Sequence, residues 1–576
     1  MPALYREYYK EVLDDNGNIT DLEFTYDDSF NFAYDVVDKY ALLEPSKLAL
    51  VHKSTEGVVT KFSFSDLKRL SDKAANMLKK FGIGKGDSVM LLLKRRYEFW
   101  ISIIALHKLG AVAIPTSHMV SEKDIAERLR LSLAKAVICV NSDDICEKVD
   151  GAINSINCAD NSSDKAKADK TSITQIVVGK PLEGIQSFDE LMEKASDVFN
   201  RVETNVHDNM LYYFTSGTNG APKAVIHDYS YPLAHIYTAK NWHGAVENGL
   251  HLTVADSGWA KSAWGKLYGQ WLLGCGVMVY DYEQFYAFDI LELLQEQKIT
   301  SFCAPPTIYK YLVLEDLSKY DLSNLIQVTT AGEPMPVEIS RKFREKTGLI
   351  VREGFGQTET ALQICTPVGC EQITGSIGKA SPLYDIRLID ENGKEVVDGQ
   401  EGEIVIIPKL TGCENYRNIL PMGVLKGYLG DEKNYKEVWS GGIYHTKDRA
   451  IRDKNGNFFF LGRNDDVIKS SGYRIGPSEV EDVLMMHPAV FECAVTGYPS
   501  RNRGTLVKAS IILNSDYVES EELKGDIQNF VRQRVALYKY PRKICFEKEL
   551  PRTSNGKISR AQIRMRDCYS NDFNAH

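Results

Sequence analysis

The chain has 576 residues, of which 43% are hydrophobic and 26% charged, and its formal net charge is -9. This length exceeds what one hydrophobic core can organise, so two to four domains are expected, and the composition is ordinary for a soluble globular protein. The negative charge argues against a general nucleic-acid binder.

The cysteines and the apolar stretches indicate where the protein works. Eleven cysteines are scattered without a Cys-x-x-Cys pair, which fits free thiols in a reducing compartment and no structural zinc. The first fifteen residues are charged and aromatic, unlike a signal peptide. The most apolar window, residues 99–115, is interrupted by His107 and Lys108 and is too short to cross a bilayer. We therefore expect a cytoplasmic protein without a membrane span.

The first half of the chain, after a weakly patterned stretch at residues 1–60, alternates between helical and strand periodicity. In order, the pattern predicts a helix from Ser65 capped at Gly82, a strand at 88–93, a helix at 97–109, a strand at 111–114, a helix opened by a capping box at 121–124 and a strand at 136–140. Strand, helix and strand with short links form a parallel crossover unit.

Residues 141–172 have a different character, because they are polar and poor in aromatic side chains. The pattern predicts a mobile surface excursion there rather than a domain boundary, since a strand-like run resumes at 175–178.

Alternation returns in a second run. The pattern predicts strands at 211–214, 252–255, 277–280 and 301–303, with helices near 262–273 and at 288–297. Two such runs indicate doubly wound α/β architecture, in which ligands bind at the carboxyl ends of strands.

The stretch TSGTNGAPK at residues 215–223 follows the predicted strand at 211–214. It contains three hydroxyl side chains, two glycines and one lysine. Glycine lets backbone N–H groups approach an anion, and hydroxyls and lysine add donors and positive charge, so the stretch is a candidate polyphosphate cradle. The spacing is not that of a Walker P-loop. A surface turn rich in small polar residues is the alternative.

Three later stretches also pass from an apolar run into a polar turn. They are TTAGEP at 329–334, GFGQTET at 354–360 and YHTKD at 444–448. An acid such as Glu359 beside a phosphate loop suits Mg²⁺, and an acid such as Asp448 can accept from both hydroxyls of a ribose. Each stretch alone is weak evidence, because such a turn is more often structural.

Taken together in this order, the stretches resemble the adenylate-forming superfamily of acyl-CoA synthetases, peptide-synthetase adenylation domains and luciferases. GRNDDVIKSSGYRIGPSEVE at 462–481 and TSNGKISR at 553–560 complete the set. The chain is most similar to the medium-chain acyl-CoA synthetases, through SSGYRIGPSEVE and YKYPRK at 538–543. The resemblance implies a large N-terminal domain, residues 1–464, of doubly wound α/β sheets plus a β-rich subdomain. It also implies a small, mobile α+β C-terminal domain, residues 465–576.

The resemblance assigns the nucleotide site. It implies that the ATP phosphates are held by Thr215, Ser216, Gly217, Thr218 and Lys223. It implies that adenine is lined by Gly332, Glu333, Pro334, Glu353, Gly354, Phe355 and Gly356. It further implies that Thr358 contacts the α-phosphate, that Glu359 binds Mg²⁺, and that Asp448 and Arg463 hold the ribose.

The resemblance also assigns the moving parts and the second substrate. Asp465 is the implied hinge and Lys557 the implied catalytic lysine of adenylation. The implied CoA residues are Ser471, Gly472, Arg474, Arg503 and Tyr540. Trp259 is expected to border the acyl tunnel, with simple core packing as the alternative.

The implied reaction consumes a carboxylic acid, ATP and CoA. The acid attacks the α-phosphorus, pyrophosphate leaves, and CoA then displaces AMP from the acyl adenylate. A medium-chain acid is expected, and an acetate-like, branched or aromatic acid is the alternative. A carrier-loading domain is disfavoured because no carrier domain follows.

Two positions depart from the family pattern. The family usually has glycine where Lys447 stands and often proline where Leu537 stands. If the backbone at Lys447 requires a positive φ, lysine costs on the order of 1 kcal/mol there. A nucleotide-binding protein with impaired turnover is therefore a further alternative.

Overall fold

The computed structural model describes residues 2–142, 144–161, 173–216, 222–408, 420–470, 473–500, 504–553 and 556–572. Within these ranges, one sheet has eight strands. In spatial order they are Gly427–Tyr428, Pro222–Asp228, Asn209–Ser216, Val112–Pro115, Ser88–Leu92, Ala136–Val140, Thr174–Val178 and Gln186–Ser187.

A second sheet has thirteen strands in the described part of the chain, parallel in its middle and antiparallel toward both ends. In spatial order they are Asp385–Ile389, Glu401–Ile407, Tyr444–Arg452, Asn457–Arg463, Gly378–Ala380, Leu362–Cys365, Val351–Gly356, Gln327–Ala331, Ser301–Cys303, Leu250–Thr253, Gly276–Tyr280, Leu48–Lys53 and Val59–Ser63.

Smaller sheets lie at the two ends of the chain. An N-terminal hairpin pairs Tyr9–Leu13 with Ile19–Phe24. Near the C-terminus, Ile468–Ser470 pairs with Tyr473–Ile475, and Val490–Ser500, Gly504–Leu513 and Lys543–Phe546 form a three-stranded sheet.

Helices cover the sheets. The α-helices are Tyr5–Tyr8, Lys39–Leu43, Phe64–Lys80, Glu98–Leu109, Glu122–Ser132, Ile145–Asn161, Phe188–Glu193, Tyr231–Tyr237, Lys261–Gly265, Tyr268–Leu272, Ala287–Glu296, Pro306–Leu312, Val337–Thr347, Glu432–Val438, Pro477–Met485, Glu521–Arg532 and Arg560–Asp572. Ala33–Asp38 and Thr238–Trp242 are π-helical, and Leu317–Lys319 and Ser440–Gly442 form 3₁₀ turns.

The predicted crossover unit is confirmed. Strand Ser88–Leu92 runs parallel to Val112–Pro115, with helix Glu98–Leu109 between them in the chain. The capping box predicted at 121–124 is present: the Ser121 hydroxyl accepts from the Asp124 N–H, and the Asp124 carboxylate accepts from the Ser121 N–H. The parallel strands in both sheets, with helices between them in the chain, match the predicted α/β class.

Two predictions about elements were wrong. Residues 145–161 form a helix, because Ile145, Val149 and Ala152 recur at helical spacing and are buried against helix Glu122–Ser132. The rest of the predicted excursion, residue 143 and residues 162–172, lies outside the described residues. The single helix predicted near 262–273 is two short helices. The chain breaks at Lys266, whose carbonyl accepts from the Trp100 indole N–H (2.7 Å) instead of continuing the helix.

The buried side chains divide into a large unit and a small one. The two sheets and their helices share extensive cores up to residue 458. A separate core begins at Ile468 and includes Val480, Val507, Ile527 and Ile544. No helix in the described ranges is both long enough and apolar enough to cross a membrane. We refer to the large unit, whose cores extend to residue 458, as the N-terminal unit, and to the small unit, whose core begins at Ile468, as the C-terminal unit.

Candidate active site

The candidate phosphate stretch lies at the end of a β-hairpin. Strands Asn209–Ser216 and Pro222–Asp228 pair antiparallel, with Thr215 opposite Lys223. The Lys223 ammonium donates to the Asn434 side-chain oxygen (2.9 Å) and lies 5.5 Å from the centroid of the Tyr428 ring. Gly217 and Thr218 lie outside the described residues, and only the backbone of Ser216 is described.

Glu359 lies beside the stem of this hairpin. The Tyr428 hydroxyl donates to one Glu359 carboxylate oxygen (2.9 Å), and Tyr428 itself pairs with Val225 of the hairpin. Burial and the neighbouring Glu359 raise the pKa of Tyr428, so the phenol keeps its proton. Among the described residues, no three His, Cys, Asp or Glu side chains cluster as a metal site. A single carboxylate fits a Mg²⁺ ion that takes its remaining ligands from phosphate oxygens and water.

Asp448 is held in a buried hydrogen-bond network. The residue is only 5% exposed, and its carboxylate accepts from the Gln357 amide (2.6 Å). The same amide donates to the Thr446 carbonyl (2.8 Å), and the Tyr444 hydroxyl donates to the Gln357 oxygen (2.8 Å). Burial raises the pKa of Asp448 to about 6, against the opposing effect of Arg463. Gln357 was missed by the sequence reasoning, although its place inside GFGQTET was the available signal.

Arg463 faces Asp448 across two antiparallel strands. The pair is opposed in register between Tyr444–Arg452 and Asn457–Arg463. The Arg463 guanidinium also donates to the Asp465 carboxylate (3.2 Å), so the position expected to be a hinge is bonded to the end of the preceding strand.

Lys447 adopts the left-handed backbone that glycine favours, with φ of 62°. Its ammonium lies 2.5 Å from a Glu437 carboxylate oxygen, and its N–H donates to the Glu403 carboxylate (3.0 Å). The backbone at Lys447 therefore has the positive φ at which a lysine costs on the order of 1 kcal/mol. The Lys447 side chain points to an exposed acid on helix Glu432–Val438, and the hydrogen bonds described above for Asp448 come from other residues.

Glu353 fastens the turn that contains Gly332, Glu333 and Pro334. Its carboxyl accepts from the Met335 N–H (3.0 Å), and the residue is only 7% exposed. Burial raises the pKa of Glu353 to about 8. Gly332 has a φ of 103°, which a side chain rarely tolerates.

Two glycines of GFGQTET bring the backbone against tryptophan rings. A Cβ on Gly354 would lie 2.5 Å from Trp242, and one on Gly356 would lie 2.4 Å from Trp264. Phe355 between them packs at 5.8 Å from the ring of Phe460. Trp242 and Trp264 were missed by the sequence reasoning, since nothing in their spacing places them behind this strand.

Trp259 and Lys261 lie on the same side of the site. Trp259 is half-buried, and its ring would be 3.3 Å from a Cβ on Gly556. The Lys261 ammonium donates to the Ala331 carbonyl (2.7 Å), and burial lowers the pKa of Lys261. Trp259 therefore faces the C-terminal unit rather than a closed core.

Lys557 reaches the N-terminal unit. Its Cε lies 3.9 Å from the position of a Cβ on Gly332. Burial raises the pKa values of Glu333 and Asp448, and the Lys557 charge opposes both shifts. The turn that carries it is closed by the Thr553 N–H donating to the Lys557 carbonyl (2.8 Å). The structure thus brings together Lys557, Gly332, Glu333 and Asp448, which are widely separated in sequence.

Thr358 is anchored through its backbone. The His227 Nε2–H donates to the Thr358 carbonyl (2.8 Å), and burial lowers the pKa of His227 to about 4, so the ring is neutral near pH 7. This bond ties GFGQTET to the strand that follows the phosphate stretch.

Of the residues expected to bind CoA, only Tyr540 has a described side chain. The Arg542 guanidinium lies 4.8 Å from its ring centroid and that of Arg532 lies 5.9 Å away. Ser471, Gly472 and Arg503 lie outside the described residues, and only the backbone of Arg474 is described, paired with Lys469.

Two family models match the chain. The model described as AMP-binding enzyme matches residues 37–409, and the model described as AMP-binding enzyme C-terminal domain matches residues 479–557. The chain is 35% identical to "Acyl-coenzyme A synthetase ACSM3, mitochondrial" of Mus musculus, over 98% of this chain and 96% of that protein. It is 37% identical to "Acyl-coenzyme A synthetase ACSM5, mitochondrial" of Homo sapiens, over 93% and 90%.

Solved structures show the same fold. The anthranilate CoA ligase AuaEII, in complex with anthranoyl-AMP, superposes with a TM-score of 0.84 at 27% identity, covering 95% of this chain and 99% of that chain. The acyl-CoA synthetase of Brucella canis is 30% identical with a TM-score of 0.67, covering 94% and 95%.

Proposed function

This chain belongs to the AMP-binding enzyme family, and from that premise we propose that it is an AMP-forming acyl-CoA synthetase. It activates a carboxylic acid with ATP to an acyl adenylate and pyrophosphate, then transfers the acyl group to CoA. The observation that carries the proposal is the approach of Lys557 from the C-terminal unit to Gly332 of the N-terminal unit, where its charge also acts on Asp448.

The first step needs positioning and positive charge rather than a base. A carboxylic acid is already ionised near pH 7, so its oxygen attacks the α-phosphorus directly while the bond to pyrophosphate breaks. Negative charge shifts onto the leaving pyrophosphate and the pentavalent phosphorus. Lys557 and Thr358 stabilise it on one side and Lys223 on the other.

We assign the remaining nucleotide contacts from the resemblance to the family. Thr215, Ser216, Gly217 and Thr218 donate to the phosphates, and the ribose hydroxyls donate to Asp448, beside Arg463. Adenine lies along Gly332, Glu333 and Pro334 and against the strand of Glu353, Gly354, Phe355 and Gly356. Mg²⁺, when bound at Glu359, neutralises phosphate charge.

In the second step the CoA thiolate attacks the acyl carbonyl carbon, and the bond to AMP breaks. We place the boundary between residues 464 and 465, with Asp465 as the hinge. The strand of Arg463 ends just before it, and a separate core begins at Ile468. The CoA residues remain Ser471, Gly472, Arg474, Arg503 and Tyr540.

The acid is proposed to be a medium-chain fatty acid, bordered by Trp259, because the relatives in the comparisons carry names of the ACSM group. One observation favours an aromatic acid as the second candidate. The structurally similar AuaEII is named as a ligase of anthranilate, an aromatic acid.

The compartment is a separate proposal. The scattered free cysteines favour a reducing compartment such as the cytoplasm. The relatives are named as mitochondrial. Imaging the tagged chain beside matrix and cytosolic markers separates the two.

The decisive assay measures pyrophosphate release with a panel of acids. Straight-chain acids of increasing length, a branched acid and two aromatic acids are compared at saturating ATP, with and without CoA. Acid-dependent release of pyrophosphate and formation of AMP support the proposal. Binding of ATP without acid-dependent release contradicts it and favours the impaired nucleotide binder.

A further inference from the structure

Phe491 occupies a bulge at the start of the main C-terminal hairpin. Val490 lies opposite Leu513 and Glu492 lies opposite Ile512, so Phe491 is an extra residue without a cross-strand partner. A bulge turns a side chain out of the ladder and redirects it. Here the ring faces the N-terminal unit.

Lys310 of that unit meets the redirected ring. It lies on helix Pro306–Leu312, and its ammonium is 3.3 Å from the centroid of the Phe491 ring. The same ammonium donates to the Phe491 carbonyl, and the ring centroids of Tyr311 and Phe491 are 6.1 Å apart. Burial lowers the pKa of Lys310 to about 8, so the amine is still mostly protonated near pH 7. A cation on an aromatic face attracts it more strongly when water is excluded.

From Phe491 the contacts continue to the catalytic lysine. The next residue, Glu492, accepts two hydrogen bonds from the Arg552 guanidinium, both 2.8 Å. Arg552 also donates to the Gly556 carbonyl (3.0 Å). Gly556 directly precedes Lys557, so the bulge and the lysine turn are joined by one salt bridge and one hydrogen bond.

We propose that the contact of Lys310 with Phe491 holds the C-terminal unit in the orientation that delivers Lys557, and that Arg552 carries this placement to the lysine turn. Lys310 and Phe491 are positioning residues for adenylation. The inference rests on the proposed function and deepens it, because it names what favours the orientation of the first step. In the thioester step the C-terminal unit rotates about Asp465, and the contact breaks.

The contact is therefore specific to one half-reaction. Removing it lowers the population of the adenylation orientation and leaves the reacting groups intact. A defect that came only from poor folding would slow both half-reactions together.

The test uses the full-length enzyme with Phe491→Ala and Lys310→Met, compared with Phe491→Tyr and Lys310→Arg. Phe288→Ala, which removes an exposed ring stacked on Tyr286, is the matched control. Single-turnover pyrophosphate release from acid and ATP is expected to fall about tenfold in the first two variants. Thioester formation from supplied acyl adenylate and CoA is expected to stay within about twofold of the unaltered enzyme. The conservative variants are expected to recover most of the loss.

Hydrogen exchange gives a readout that does not depend on turnover. Amides of residues 306–314 are expected to exchange faster in Phe491→Ala than in the unaltered enzyme, both without substrates. Unchanged first half-reactions in both variants, or equal losses in both half-reactions, would overturn the proposal. If the unaltered enzyme releases no pyrophosphate with any acid, the proposed function fails, and the exchange comparison alone decides whether the contact exists.

Discussion

At the scale of single residues, Asp448 makes nucleotide binding depend on pH. Its pKa is raised to about 6 by burial, so the carboxyl is ionised above that pH and protonated below it. In the proposed ribose site the ionised form accepts from both hydroxyls, whereas the protonated form loses acceptor capacity. We expect the KM for ATP to rise as the pH falls through about 6, measured by pyrophosphate release. Asp448→Asn should raise this KM and flatten its pH dependence; an unchanged profile in that variant would remove Asp448 from the ribose site.

Lys447 has the opposite character, because its side chain is not required by the proposed chemistry. The φ of 62° at Lys447 lowers the stability of the fold by on the order of 1 kcal/mol. The exposed ion pair with Glu437 stabilises the fold by a similar or smaller amount. Lys447→Gly should leave kcat and the KM for ATP unchanged or improved, measured beside the denaturation midpoint. Lys447→Ala keeps the backbone cost and removes the charge. A large loss of activity in both variants would show that the ammonium itself acts on the nucleotide.

Glu359 is expected to act through charge. Glu359→Gln keeps the size of the side chain and its acceptor for Tyr428, yet removes the negative charge that suits Mg²⁺. Pyrophosphate release at limiting Mg²⁺ should fall by about tenfold or more and recover in part at high Mg²⁺. Wild-type activity at limiting Mg²⁺, with an unchanged melting temperature, would assign the metal elsewhere.

At the scale of elements, periodicity predicted the central strands of the first sheet and the parallel strands at 250–253, 276–280 and 301–303 of the second, because their side chains are largely buried. It made no prediction for the strands at 48–63 or at 362–407. It failed at residues 145–161, where a helix with a polar outer face was taken for a loop. It failed again near Lys266, where a tertiary bond from Trp100 ends a helix that local pattern would continue. Motif order predicted the chemistry-bearing turns. It could not predict Gln357 between Tyr444 and Asp448, or Trp264 against Gly356, because both contacts join segments that are far apart in the sequence.

The N-terminal hairpin, whose sequence has only a weak pattern, supports a helix that packs against the candidate site. Glu11 accepts from the ammonium of Lys240 (2.5 Å) and from the amide of Asn241 (2.8 Å). These residues belong to the π-helix Thr238–Trp242, and Trp242 backs Gly354. A π-helix inside a helical segment often marks a functional site.

Glu11→Ala should therefore loosen the packing of Trp242 against Gly354. We expect the KM for ATP to rise about threefold to tenfold while the KM for the acid changes less, because Gly354 lines the proposed adenine site and bonds to charged groups stabilise by about 1.5–3 kcal/mol. Glu23→Ala, on the same hairpin in an exposed pair with Lys10, is the control. Equal changes in both KM values would show that the hairpin acts on general stability alone.

In the whole molecule, the proposed mechanism requires the C-terminal unit to bring Lys557 to the site during adenylation and not during thioester formation. On sequence alone, a lysine in the polar turn TSNGK would be solvated surface charge. In the structure the Lys557 side chain is exposed, yet its Cε lies 3.9 Å from the Cβ position of Gly332 and its charge acts on Glu333 and Asp448.

The measurement that tests this most directly separates the two half-reactions of Lys557→Ala. Lys548→Ala, an exposed lysine of the same unit, is the matched control. Pyrophosphate release from acid and ATP should fall by a factor of about 10² to 10³, as when other preorganised electrostatic contacts are removed. Conversion of supplied acyl adenylate and CoA to the thioester should remain within about twofold of the unaltered enzyme. Equal losses in both half-reactions, or no loss in either, would contradict the account.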